Sequence, residues 1–161
     1  MLNPSEMSLA EWQARQIEKA AKILSHFVEN TRPDLRDWRP ATEEASKTRS
    51  VMEQLNECIY ANHRVLCYLR GEVPVAQTTY ESLPEANEAL HAGAKELADE
   101  VRKIQSSGLG REVETHRGTM PVALAIQFPL RNMVYHMGQI NMIQLLYGDA
   151  TFHIDQEFTT L

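Results

Sequence analysis

The sequence predicts an all-α protein, a four-helix bundle, on three observations. Four segments carry apolar residues at helical rather than alternating period, and caps or breakers bound them. No run alternates convincingly enough to read as a strand, and no internal repeat is visible. The last helical segment is apolar on nearly every side, the pattern of a helix enclosed by others or facing a second subunit. With 161 residues the chain fits a single domain over 1–161, long enough to fold without disulfides or a structural metal.

The first helix is expected over about 8–30. Ser8 and Glu11 have capping-box spacing, and Leu9, Trp12, Ala20, Ile23, Leu24, Phe27 and Val28 form its stripe. A loop with Pro33, Asp37, Trp38 and Pro40 follows, in which Trp38 reads as an anchor over the core. The second helix is expected over about 46–70, with Val51, Leu55, Cys58, Ile59, Asn62, Leu66 and Leu69 on one face and Gly71 as its stop. The third, about 82–106, starts at Ser82 with Pro84 in its first turn and carries Ala86, Leu90, Ala94, Leu97, Val101 and Ile104. Residues 106–118 read as a loop with a weak hairpin signal around Gly108 to Gly110. The fourth helix is expected over about 119–147, kinked or split at Pro129, where the missing N–H breaks the ladder. Each connection is roughly ten residues, so a crossover is as plausible as simple up-down order.

Composition narrows the classes of function. A net charge of -6 gives no basic footprint for a nucleic-acid backbone. No stretch approaches the ~18 uninterrupted apolar residues of a membrane span, and the first residues lack the pattern of a signal peptide, so a cytoplasmic location is expected. Cys58 and Cys67 fall on opposite faces of the second helix, which excludes a mutual disulfide and leaves them as reduced packing residues. No nucleophile elbow, phosphate loop or dinucleotide fingerprint is present.

The segment carrying the chemistry is Asn132, His136 and Gln139. Four and seven residues apart, they share a helix face with Ala125, Phe128, Ile143 and Leu146 and so interrupt a core stripe with polar groups. Either they satisfy one another or they hold something. Gln139 can reach Asn62, the polar residue in the stripe of the second helix, and His136 with Asn132 can serve as a hydrogen-bonded pair fixing helix register. His26, His63, His91, His116 and His153 are scattered and read as surface or packing residues.

Three stretches together, Glu53 to Gly71, Asp37 to Pro40 and Tyr135 to Ile140, resemble the DinB/YfiT-like superfamily, and the resemblance covers most of the chain. It implies a DinB-like four-helix bundle, commonly a homodimer, in which three histidines hold a divalent metal. One comes from the second helix and two stand at an i, i+4 spacing on the last. Some relatives are thiol-dependent transferases or isomerases. Carried onto this chain, the ligand positions fall on Glu57, Asn132 and His136, a set with one imidazole. The implied cofactor is zinc, nickel or iron on a weaker donor set. The implied function is that of a metal-dependent thiol transferase or hydrolase, with Tyr60 or Tyr135 as a nearby donor. The alternative is a metal-free dimeric binding or structural module of the same fold, with a pocket for an unknown small molecule and no catalysis.

Overall fold

The computed structural model describes residues 7–41 and 48–154. Among these, helices α1 (Leu9–Glu29), α2 (Val51–Arg70) and α3 (Leu83–Arg102) are followed by a hairpin, β1 (Glu112–Thr115) with β2 (Gly118–Pro121). The single turn α4 (Val122–Ala125) and the long helix α5 (Phe128–Leu146) complete the chain. None of the described helices is long and apolar enough to cross a membrane.

Hydrogen bonds and ion pairs between the ends of these helices fix their directions. Gln13, early in α1, donates to the Ile126 carbonyl ahead of α5 at 2.9 Å, and Gln144, late in α5, donates to the Phe27 carbonyl late in α1 at 2.9 Å, so α1 and α5 run parallel. Arg102 at the end of α3 pairs with Glu11 and Glu18 in the first half of α1, so those two are antiparallel. Asn56, early in α2, bonds the backbone of Tyr80 just before α3, and Arg70 at the end of α2 pairs with Glu96 and Glu100, so α2 and α3 are parallel. The order is up-down-down-up. Helix α1 packs on α3 and α5, α2 packs on the same two, and α1 and α2 lie across the diagonal.

That topology explains the long second connection. A 20-residue α2 is about 30 Å long. The extended residues 72–81 reach roughly 33 Å, enough to return the chain alongside it before α3 begins.

Helix boundaries follow their caps. Helix α2 begins at Val51 rather than near 46 because Ser50 and Glu53 form a reciprocal capping box; residues 42–47 lie outside the described part. At α1, Ser8 accepts from the Glu11 N–H as expected, but the Glu11 carboxylate turns to Arg15 and Arg102, which a charge-assisted bond favours over a backbone N–H. Gly71 ends α2 at φ 72, with Glu72 N–H bonding the Cys67 carbonyl at 2.8 Å. Helix α3 stops at Arg102, short of 106, and Ser106–Gly108 form a separate 3-10 turn.

The expected fourth helix is corrected most. Residues 118–121 belong to a strand, and the expected hairpin near Gly108 to Gly110 forms instead around His116 and Arg117, with Thr115 opposite Gly118. The Thr115 hydroxyl supports this turn by donating to the Gly118 carbonyl at 2.7 Å and accepting from the Arg117 N–H at 3.1 Å. Without the Asn-Gly signature of short hairpins, such a turn is hard to read from sequence. The helix breaks as expected near Pro129, which lies in the first turn of α5, and Gln13 donates to the Ile126 carbonyl in the break between α4 and α5.

The core lies between the four long helices, with Ile17, Leu24, Leu55, Leu90, Leu97 and Ile140 fully buried. Trp38 anchors its loop against this core, with its ring edge-to-face on Tyr147 at 4.8 Å. Cys58 and Cys67 are free and buried, and burial pushes both thiols up.

Candidate metal centre on the seam of α2 and α5

On α5 the buried stripe is Pro129, Met133, His136, Ile140, Ile143 and Gln144. The face expected from sequence is rotated from this one. Asn132 and Gln139 lie on the stripe's half-buried edge and Leu146 is exposed, which leaves His136 as the expected polar residue that enters the core, at 1% exposure.

His136 points at the first half of α2. Its Nδ1 is 3.2 Å from Gln54 Oε1 and 3.0 Å from Gln139 Oε1. Both partners are acceptors, so the ring carries its proton on Nδ1 and donates to them, which leaves the Nε2 lone pair free. Burial drives the imidazole pKa down to about 4, against the Gln139 hydrogen bond and helped by the charge of Arg49. The ring is therefore neutral at pH 7, and His136 with Glu57 is not an ion pair. Nε2 and Glu57 Oε2 face each other at 3.6 Å, and Nε2 has no hydrogen-bond partner among the described residues.

Glu57 is half-buried on α2 and is ion-paired with Arg49, which precedes the Ser50 cap. With Arg49, Tyr60 and Arg64 it lines a cavity of about 470 Å³. Asn132 sits one turn before His136 and lines an adjoining cavity of about 310 Å³; its Oδ1 is buried with no hydrogen bond to the described residues. The structure thus brings Glu57 and His136 together and sets Asn132 on the neighbouring turn. Among the described residues no group of three His, Cys, Asp or Glu is gathered around one point. Tyr60 borders the Glu57 cavity, and the exposed Tyr135 ring stands edge-on to His136 at 5.2 Å.

Gln139 bonds His136 rather than Asn62. Asn62 is 1% exposed, and neither atom of its amide finds a partner among the described residues. Two residues of the site escaped sequence reasoning. Gln54 was visible only as a polar neighbour three residues before Glu57, and Arg49 lies outside any periodic segment, so neither left a signal of its role.

Of the other histidines, His116 bonds the Tyr68 hydroxyl at 2.9 Å, His153 bonds Asp149 at 2.7 Å, and His63 lies 3.5 Å from the Cys67 sulfur. No protein-family model matches the chain, and no curated protein is significantly similar to it in sequence.

Proposed function

We propose that the chain is a DinB-like bundle protein whose Glu57, Asn132 and His136 bind a divalent cation, zinc, nickel or iron, in an altered form of that family's three-histidine centre. One observation carries the reading. Among the described residues, Asn132 Oδ1 and His136 Nε2 are buried with no hydrogen-bond partner, and Glu57 Oε2, paired with Arg49, stands 3.6 Å from that Nε2. Such a buried acceptor costs about 1–3 kcal/mol, which a shared cation offsets. Gln54 and Gln139 fix the imidazole with Nε2 outward, as the outer partners of metal-bound histidines do. A bound divalent ion lowers the pKa of a water or thiol toward neutrality, the chemistry a hydrolase or thiol transferase uses. Tyr60 and Tyr135 stand beside the pair as candidate proton donors.

Elemental analysis of protein purified without a histidine tag is expected to find about one zinc, nickel or iron per chain, and none in His136→Ala. A wild-type protein that carries no metal and whose melting temperature none of the three ions moves overturns the reading.

Arg49 favours a second reading, the metal-free binding or structural module. Its guanidinium already supplies positive charge against Glu57. Arg49→Gln separates the two. If the centre binds metal, removing the competing cation tightens metal binding by about tenfold or more. If the module is metal-free, the variant is less stable because Glu57 is left uncompensated, and no affinity for metal appears.

The same helix supports a homodimer. On the face of α5 opposite His136, Val134, Met142 and Leu145 are exposed around Gly138, with Tyr135 and Leu146 at the border. Light scattering at micromolar concentration is expected to give twice the chain mass, and Val134→Glu with Leu145→Glu the chain mass alone. A monomeric wild type excludes this interface.

A further inference from the structure

Arg15, Arg32, Arg39, Arg49, Arg70 and Arg102 each meet a carboxylate. Arg64, Arg117 and Arg131 meet none among the described residues, and all three line the cavity of about 310 Å³ between the end of α2, the hairpin turn and the start of α5. Among the described residues no carboxylate borders that cavity, although the chain carries a net charge of -6. Arg64 also borders the cavity lined by Glu53 and Glu57, so the charge with no carboxylate alongside is that of Arg117 and Arg131; their convergence raises the local potential, and a bound anion relieves it.

The guanidinium groups are held by neutral partners. Arg64 lies over the Tyr60 ring at 5.0 Å and Arg117 over the Phe128 ring at 5.7 Å, while Arg131 donates to Gln127 Oε1 at 2.7 Å. Arg64 Nε is buried and finds no acceptor among the described residues. His116, at the rim and bonded to Tyr68, is held below its usual pKa range by burial and then by the charges of Arg64 and Arg117, so the positive field reaches the cavity wall. The remaining lining is polar at Thr115 and Asn132 and otherwise apolar or aromatic, with Ala61, Val65, Tyr68, Phe128 and Tyr135.

We infer that this cavity binds a small oxyanion, a carboxylate or phosphate monoester, carried on a flat aromatic body. The planar guanidinium fork of arginine matches two oxygens of such a head group, and the rings and aliphatic side chains receive the body. The site uses neither Glu57 nor His136 but shares Asn132 with the proposed metal centre, so it is tested with metal removed.

The test is a titration of the full chain, in the presence of a chelator, with benzoate, phenyl phosphate and the neutral benzamide, followed by amide NMR shifts. At least one of the two anions is expected to bind saturably in the millimolar range or tighter, about tenfold or more above benzamide, shifting residues of the hairpin turn and the start of α5. Added salt weakens that binding, because the head-group contacts are partly exposed. The double variant Arg117→Gln with Arg131→Gln, whose side chains make no ion pair among the described residues, is expected to lose about tenfold in affinity with an unchanged melting temperature. Equal binding of benzamide, absence of saturable binding by both anions, or a folded double variant that binds as wild type each overturns the inference. Because the chelator removes metal, failure here leaves the elemental analysis of the Glu57 and His136 centre untouched.

Discussion

Between neutral pH and about pH 4, wild-type protein is expected to lose about 3 kcal/mol more stability than its His136→Asn variant. The sign follows from where the proton binds. In the fold the imidazole stays neutral until about pH 4, because burial opposes its charge. In the unfolded chain it takes up a proton near its ordinary value of about 6.5. Acid therefore favours the unfolded state across that window. The stability His136 confers is complete above about pH 6.5, declines as pH falls, and levels off below about 4. Other carboxylates also titrate near the acid end, so the difference between wild type and variant, measured by urea unfolding at several pH values, isolates this group. Parallel pH profiles for the two proteins, or an imidazole that titrates near pH 6.5 by NMR, rule the account out. At neutral pH His136→Ala is expected to cost about 1–3 kcal/mol, since Gln54 and Gln139 lose the donor they share.

Replacing Asn62 by leucine is expected to stabilise the protein by about 2 kcal/mol. The side chain is 1% exposed, its amide oxygen and nitrogen have no partner among the described residues, and it shares the buried stripe of α2 with Cys58 and Leu66 one turn to either side. An amide in such surroundings has lost its water and gained no bond in return. Leucine matches its shape closely and removes the desolvation cost while adding apolar burial. Thermal or chemical unfolding measures the change. A loss of stability in Asn62→Leu means the amide is satisfied in solution and contradicts the burial argument.

The long helices were legible because their information is local. Ser8, Ser82, Gly71 and Pro129 mark ends or breaks that depend only on nearby backbone, and the apolar stripes of α1, α2 and α3 follow from the period of 3.6 residues. Where the reading failed, competing partners were distant in sequence. Glu11 left its capping role for Arg102 on another helix, and residues 118–121 became a strand because Glu112 to Thr115 offered a ladder. Helix α5 misled for a related reason. It is apolar inside and out, so its sequence has no strong polar side to fix rotation, and the core face fell about one residue away from the one expected.

At the candidate centre, sequence and its family resemblance nominated Glu57, Asn132 and His136, and spacing alone put the last two on neighbouring turns of one helix. Only tertiary structure decided that Glu57 meets His136 across the bundle at 3.6 Å, that Gln54 and Gln139 orient the ring, and that Arg49 stands against the carboxylate. The same holds for the gathering of Arg64, Arg117 and Arg131, which arrive from α2, a hairpin turn and α5. By itself the sequence determined which segments become helices and which residues are chemically able to act, because period, caps and side-chain chemistry are properties of short stretches. The tertiary structure decided topology, burial and partnership, because those depend on contacts between residues far apart in the chain and on the solvent each contact excludes.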